Sequence, residues 1–175
     1  MTVTVRAASP DDVPAVVALV EQAYRGEGSR AGWTTEADLL AGQRTDAAAV
    51  AELVAAPRSV VLLAEEDGAL LGCCHLQGGA GDAAHLGMVA VLPTTQGQGL
   101  GKMLLEHAEG LARSRFQVDT VEMTVIVQRA ELVAFYARRG YADTGARRAF
   151  PYGDERFGVP LRDDLAFAVL RKPLG

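Results

Sequence analysis

The order of apolar patterns along the chain predicts an α/β (α+β) fold, with helices and strands following one another as βααβββαβαββ. Residues 59–65 and 69–76 flank an Asp-Gly pair, which favours a tight β-hairpin because both residues tolerate a positive φ. Residues 86–92 alternate as a strand and run directly into a glycine-rich turn and an amphipathic helix. Residues 120–127 alternate again and are followed by another helical pattern. These three stretches give a sheet with helices between its strands.

The first third of the chain predicts one strand followed by two helices. Residues 2–7 alternate between apolar and polar side chains, as a short strand does. Residues 9–25 begin with serine, proline and two aspartates and continue as an amphipathic helix. Residues 26–32 are rich in glycine and are expected to form a loop. A second helical stretch is expected over residues 34–40, from a threonine N-cap, and the alanine-rich residues 46–55 should be helical as well.

The last third predicts one helix and two strands. Residues 130–139 have a helical pattern that ends at Gly140, a residue suited to the left-handed conformation after a helix. Tyr141 should open a strand, and residues 165–170 alternate as the final strand. Residues 150–164 contain two prolines and several charged side chains, so they are expected to form a loop.

The chain is organised around the turn Gln96-Gly97-Gln98-Gly99-Leu100-Gly101. The first amides of a helix have no partner inside the helix and carry the positive end of its dipole, so they bind anions. Because glycine lets a phosphate approach the backbone, this turn is predicted to hold a pyrophosphate. A Walker A loop is excluded because Met103 stands where a magnesium-binding hydroxyl is needed. The dinucleotide fingerprint is excluded because the glycines fall at alternate positions.

Length, composition and charge limit the function further. The chain has 175 residues, is 49% hydrophobic and carries a net charge of -5 with a pI near 5.2, which fits a single domain over residues 1–175. The negative charge argues against nucleic acid or an acidic membrane as partners and favours a basic substrate. With no signal-peptide pattern, a cytoplasmic location is expected. Cys73 and Cys74 adjoin inside an apolar run and should pack as reduced thiols, and no metal site is predicted.

Two motifs together resemble the GCN5-related N-acetyltransferase (GNAT) superfamily. Val89-Ala90-Val91 followed by residues 96–102 is similar to its acetyl-coenzyme A (acetyl-CoA) loop, and residues 125–141 are similar to a second motif of that family. The element order is also that of the GNAT fold, which implies a central mixed, mostly antiparallel sheet flanked by helices. The resemblance implies acetyl-CoA as cosubstrate and no metal. It places the cosubstrate on Val89, Ala90, Val91, Gln96, Gly97, Gln98, Gly99, Leu100, Gly101, Lys102 and Arg129.

The resemblance also suggests catalytic roles. Tyr136 matches the tyrosine that protonates the coenzyme A sulfur, and the strand of Val89 is expected to splay from its neighbour so that a backbone amide polarises the thioester. The general base is open between His85, Glu122 and a water held by either of them. Arg129 replaces an asparagine common in the family, so it should either contact the cosubstrate differently, as at its phosphates, or face the acceptor.

The resemblance implies an N-acetyltransferase whose acceptor is a primary amine of a small molecule or a peptide, attacked directly in a ternary complex. Trp33, Glu36, Arg44 and Asp46 fall in the region that covers the acceptor in this superfamily, and residues 147–157 border the same groove. Amino-acid-like compounds, small polyfunctional amines and peptide N-termini all fit these residues. The alternative function is a noncatalytic acyl-CoA sensor, and a homodimer is compatible with the sequence.

Overall fold

The computed structural model describes residues 2–25 and 27–175, so Gly26 of the predicted loop lies outside the described residues. The strands are β1 (Val3–Ala7), β2 (Leu40–Ala41), β3 (Ser59–Glu66), β4 (Ala69–Gly78), β5 (Ala83–Val91), β6 (Thr120–Ile126), β7 (Ala142–Ala149), β8 (Val159–Pro160) and β9 (Ala166–Pro173). The helices are α1 (Val13–Tyr24), α2 (Ala47–Ala55), α3 (Leu100–Ser114) and α4 (Ala130–Ala137). Short 3-10 helices cover Pro10–Asp12, Glu27–Ala31, Pro93–Thr95 and Glu155–Phe157.

Seven of the strands form one sheet in the order β1-β3-β4-β5-β6-β9-β7. β5 and β6 run parallel, whereas the other neighbours in this sheet are antiparallel. β2 and β8 form a separate antiparallel pair. The predicted fold class, with a mixed and mostly antiparallel sheet, is therefore confirmed, and the predicted order holds once β2 and β8 are set aside.

Helices cover both faces of the sheet. Val16 of α1 and Val50 of α2 are buried on one face, and Leu104 of α3 is buried on the other. Cys73 and Cys74, which are consecutive in β4, belong to these two opposite cores and are free thiols, as the sequence predicts. No helix in the described part of the chain is both long and apolar enough to span a membrane.

The β3–β4 hairpin follows directly from the Asp67-Gly68 pair. Asp67 has a φ of +50° and Gly68 a φ of +80°, the two positive values that a tight turn between right-twisted strands requires. Glu66 and Ala69 form the pair that closes the hairpin. The turn therefore fixes the register that places the apolar residues of β3 in the core.

Three predictions for connecting segments are wrong. Residues 34–40 form turns and the start of β2 rather than a helix, because the Glu36 amide donates to the Tyr24 carbonyl at 2.8 Å and the Glu36 side chain is buried. This tertiary anchor outweighs the weak local preference for a helix. Residues 150–164 are not all loop, since β8 pairs with β2. The described part of the loop at 26–32 contains a 3-10 helix.

β5 and β6 diverge after a short stretch of pairing. In the described chain, residues 83–85 of β5 pair with residues 120–122 of β6, and no pairing continues to Val91 or Ile126. The expected splay of the strand that carries Val89 is thus present. It opens a gap in the middle of the sheet, and the candidate site lies along this gap.

Candidate active site

The N-terminus of α3 is built as an anion site. Gly99 is the N-cap and has a left-handed conformation, with φ of +82°, and the first helical bond runs from the Met103 amide to the Gly99 carbonyl at 3.0 Å. No side chain of the described residues caps this end. The amides of Leu100, Gly101 and Lys102 therefore remain for a ligand, with the positive end of the helix dipole behind them.

The glycines of this turn have different physical roles. Gly97 and Gly99 have φ of +86° and +82°, values that residues with a Cβ rarely adopt. A Cβ at Gly99 would meet no described atom within 4 Å, so the conformation rather than the space requires glycine there. A Cβ at Gly101 would lie 3.3 Å from Cζ of Phe135, so this glycine allows α3 and α4 to approach.

Gln96 holds the turn through its side chain. Its Nε2 donates to Oγ1 of Thr34 at 2.8 Å and to the Val91 carbonyl at 3.1 Å, while its Oε1 accepts from the Trp33 amide at 2.9 Å. The Gln96 amide group is thereby occupied within the protein. It positions the glycine turn against β5 and the segment at 33–34, and this residue contributes to a ligand site mainly by fixing the turn.

A cleft of about 370 Å³ runs from this turn to α4. All the residues predicted to hold the cosubstrate line it except Ala90, Gln98 and Arg129. The side chain of Ala90 is buried against the α1 face instead. Trp33, which was expected on the acceptor side, also lines the cleft. The further wall residues, which the sequence did not predict, are Thr34, Thr95, Leu132, Phe135, Arg138 and Arg139. Free helix amides beside two arginines and an apolar wall fit the phosphates and the arm of coenzyme A.

A bulge in β5 shapes the inner end of the cleft. Met88 has a φ of +50°, and the register between β4 and β5 shifts so that Met88 and Val89 both lie opposite Cys74. The hydroxyl of Tyr24 donates to the Val89 carbonyl, and the Cys73 thiol contacts the Met88 carbonyl at 3.7 Å. Because the two polar groups of a trans peptide point in opposite directions, the Val89 amide points away from Cys73.

A second cavity, of about 610 Å³, opens on the other side of the bulge. Val89, Leu132 and Tyr136 line both this cavity and the glycine cleft. A molecule in the cleft and a molecule in the cavity would thus meet at these three residues. We refer to the larger space as the acceptor cavity, because the sequence analysis expects the acceptor near Glu36 and Arg44, which line it.

Tyr136 stands at the junction of the two spaces. It is buried on α4, with its ring edge-on to Phe135 at 5.3 Å and to Tyr141 at 6.0 Å. Burial is the main cause that raises the pKa of Tyr136 far above its usual value. The hydroxyl therefore keeps its proton at neutral pH, which is the state a proton donor needs.

The candidates for the general base separate in the structure. His85 lines the acceptor cavity, and burial lowers its pKa, partly opposed by Glu122. Glu122 does not belong to the cavity wall; its carboxylate accepts from Arg148 at 2.9 Å and lies 3.6 Å from Nε of Arg171. Because Glu122 lies outside the cavity wall and its carboxylate is paired with two arginines, it is disfavoured as the general base. His75 also lines the cavity, and the sequence analysis missed it because nothing in β4 marks it as special.

The environment of His75 predicts a loss of stability in acid. Burial lowers the pKa of His75 from 6.5 to about 4, and its Nε2 lies 2.8 Å from Oγ of Ser59. A pKa that is lower in the folded protein gives stability that is present above pH 6.5 and is lost as the pH falls towards 4. Between pH 7 and pH 5, urea unfolding should show the wild type losing about 2 kcal/mol more than His75→Gln. The exposed His107 supplies the control, and an equal loss in His75→Gln would contradict the prediction.

Arginines surround a single glutamate at the far end of the acceptor cavity. Glu36 is buried and pairs with Arg25, with Arg129 at 3.3 Å and with Arg44 at 3.7 Å. Arg129 also donates to the Thr34 carbonyl and lies over the Tyr24 ring, 5.4 Å from its centroid. A buried carboxylate is stable here because several guanidinium groups compensate its charge.

These contacts bear on the two expectations for Arg129. It lines the acceptor cavity and not the glycine cleft, so its contact with the cosubstrate and its contact with an acceptor both stay predictions, and its place in the larger cavity favours the second. Of the other acceptor-side candidates, Glu36 and Arg44 line the cavity, whereas Trp33 lines the glycine cleft. Asp46 caps α2 by accepting from the Ala49 amide at 2.8 Å. Among the described residues, no three metal-binding side chains lie close enough together to hold an ion.

Comparison with known proteins identifies the family and the fold. The acetyltransferase (GNAT) family matches residues 23–141, whereas no curated protein sequence matches the chain. Among solved structures, yncA from Salmonella typhimurium with its cofactor acetyl-CoA is 21% identical, with a TM-score of 0.72 over 100% of this chain and 95% of that one.

Two further structures share the fold. The ribosomal-protein-S18-alanine N-acetyltransferase from Escherichia coli is 21% identical, with a TM-score of 0.72 over 99% of this chain and 95% of that one. IAA acetyltransferase from Bacillus cereus is 18% identical, with a TM-score of 0.68 over 99% and 100% of the two chains. At these identities the likeness concerns the fold. Because the family match covers more than half of the chain and both motifs, this protein belongs to the acetyltransferase (GNAT) family.

Proposed function

We propose that this protein transfers the acetyl group of acetyl-CoA to a primary amine of a small molecule or peptide, by direct attack in a ternary complex. The observation that carries the proposal is the meeting of two cavities at Val89, Leu132 and Tyr136. One cavity ends at a helix N-terminus with free amides, and the other has polar groups suited to an acceptor. Two substrates can then be held together with their reacting ends adjacent, which is the main requirement of direct transfer.

The residues of the cleft would hold acetyl-CoA, whose thioester supplies the acyl group. The amides of Leu100, Gly101 and Lys102 are proposed to bind the diphosphate. Arg138 and Arg139 line the same cleft and add positive charge. The amide of Val89, turned away from Cys73 by the bulge, is proposed to donate to the acyl oxygen and so polarise the carbonyl.

Two side chains are proposed to move the protons. An ammonium has no lone pair, so the acceptor must first lose a proton, and His85 can accept it because it is neutral at pH 7 and lies in the cavity wall. Tyr136 is proposed to give its proton to the departing sulfur. Its position between the two cavities supports this role.

The test is a transfer assay on the purified chain of 175 residues. Acetyl-CoA is combined with a panel of amines and the free thiol is followed with a thiol reagent, while calorimetry measures coenzyme A binding. Acceptor-dependent thiol release is expected. Tight coenzyme A binding with no release from any amine would instead support the alternative, a noncatalytic acyl-CoA sensor, and would overturn the enzymatic proposal.

The role proposed for His85 predicts a specific pH profile. Since burial lowers the pKa of His85, protonation requires a lower pH than for a free histidine, and kcat should stay level through pH 7 and decline only below about 6.5. His85→Gln should lower kcat about 100-fold and remove the acidic decline. The neighbours that also titrate or carry charge are His75, Glu122 and Arg148.

The exposed His107 on α3 provides a matched control for this experiment. His107→Gln should keep both the rate and the profile of the wild type. An acidic decline that persists unchanged in His85→Gln would show that another group is the base. His75→Gln then identifies whether the second cavity histidine is that group.

A further inference from the structure

The wall of the acceptor cavity is strongly cationic although the chain as a whole is acidic. Its charged side chains are Arg25, Arg44, Arg129 and Arg148, with Glu36 as the carboxylate among the described wall residues. The net charge of the chain is -5, so this local excess of positive charge is opposite to the average surface. The sequence alone favoured a basic substrate, but a polycationic amine would be repelled in this cavity.

Two of these arginines are committed to Glu36. The side chains of Arg25 and Arg129 are 4% and 7% exposed, and both contact the Glu36 carboxylate. Arg148 is bonded to Glu122 at 2.9 Å. Among the described residues, Arg44 is thus the arginine of this wall whose guanidinium has no hydrogen bond to a carboxylate.

Arg44 differs from the others in exposure and bonding. Its side chain is 30% exposed, and Nε lies 3.7 Å from the Glu36 carboxylate, which is too long for a hydrogen bond. Among the residues that the structure describes, no other carboxylate lies within ion-pair distance of it. The guanidinium lies over the Tyr24 ring, 5.6 Å from the centroid, and Arg44 forms part of the cavity wall.

An anion bound by Arg44 would lie one tyrosine side chain away from the bulge at Val89. Tyr24 contacts Arg44 with its ring and the Val89 carbonyl with its hydroxyl. One tyrosine side chain therefore spans the distance from the guanidinium to the bulge. The rest of the wall includes the apolar side chains of Leu40, Ile126, Phe150 and Phe167.

We propose that the acceptor is a small amine that also carries a carboxylate, as an amino acid with an apolar side chain does, and that Arg44 binds this carboxylate. This inference rests on the proposed acetyl transfer. The ammonium loses one proton to the base, the amine nitrogen forms a bond to the acetyl carbon, and the carbon–sulfur bond breaks. The nitrogen then loses its second proton and the sulfur gains one. The products are an N-acetylated acid and coenzyme A. A guanidinium fork matches a carboxylate in geometry and charge, which makes Arg44 a determinant of specificity.

The test compares acceptors that differ only in the carboxylate. L-Phenylalanine is paired with 2-phenylethylamine and L-leucine with 3-methylbutylamine, and spermidine represents polycations. The wild type should show a kcat/KM at least about 30-fold higher for each amino acid than for its decarboxylated partner, because the site leaves a charged donor unpaired without it. In Arg44→Gln this ratio should fall towards one, and Arg44→Lys should restore part of it.

The control variant is Arg115→Gln, an exposed arginine at the end of α3, which should keep the wild-type ratio. Equal use of amino acids and decarboxylated amines by the wild type would overturn this inference while leaving acetyl transfer intact. A loss in Arg44→Gln that is the same for both members of each pair would also overturn it. Coenzyme A binding without thiol release from any acceptor would overturn the proposed function, and the inference with it.

Discussion

Replacing Tyr136 with phenylalanine is expected to lower kcat about 1000-fold, which lies within the range for loss of a positioned proton donor. The aromatic ring keeps its edge-on contacts with Phe135 and Tyr141, so the fold and the cleft should be preserved. Coenzyme A affinity should therefore stay within about threefold of the wild type, because the phosphate-binding amides of α3 are not changed. Steady-state kinetics and calorimetry on the same protein preparation measure the two quantities.

Tyr141 offers the matched control for this substitution. It is another buried tyrosine, its hydroxyl donates to Glu109 at 2.8 Å, and it lines neither of the two cavities. Tyr141→Phe should cost about 1–3 kcal/mol of stability, because the hydrogen bond to a carboxylate is lost, with little change in kcat. A Tyr136→Phe enzyme that retains the wild-type kcat would remove Tyr136 from the mechanism.

Replacing Gly99 with valine is expected to weaken coenzyme A binding about 1000-fold, because two or more charge-assisted hydrogen bonds to phosphate are lost together. Gly99 has φ of +82°, and a β-branched residue is a steric outlier in that conformation. The backbone must leave it, and the amides of Leu100 and Gly101 then turn away from the ligand. Gly99→Ala, with a smaller steric cost of about 1–2 kcal/mol, should weaken binding about tenfold.

Gly110 lies in the middle of the same helix and gives a matched substitution. It is exposed, and a Cβ there would meet no described atom within 4 Å. Gly110→Val should leave both stability and coenzyme A affinity close to the wild type, since valine is no worse than glycine within a helix. Unchanged affinity in Gly99→Val and Gly99→Ala would show that this turn does not bind the ligand.

The parts of the fold that sequence could predict are those governed by local chemistry. Asp67-Gly68 determines a turn by its backbone conformation. The alternate apolar residues of β6 fit a strand with one buried face, and the continuous apolar run of β3 fits a strand that is buried on both faces. The glycine turn before α3 was predicted for the same reason, because helix ends and glycine have consequences that do not depend on distant residues.

The parts that sequence could not predict depend on distant partners. Residues 34–40 looked helical, but Glu36 belongs to an arginine cluster drawn from positions 25, 44 and 129. The resemblance places Arg44 on the acceptor side, but nothing local to Arg44 shows its contact with the Tyr24 ring. Glu122 likewise resembles a base until its two arginine partners are seen. The cytoplasmic location, the single-domain extent and a homodimer stay predictions.

The gap between β5 and β6 leaves part of a strand edge unpaired inside the sheet. Sheets usually offer unpaired backbone groups at their outermost strands, where another protein can add itself and start aggregation. Here a comparable edge lies in the interior, beside Phe135 and Tyr136 of α4 and the segment at Trp33 and Thr34. An extended molecule can lie along such an edge as an added strand would. Because the edge lies between a helix and a loop rather than at the border of the sheet, it is less accessible to strands of other proteins.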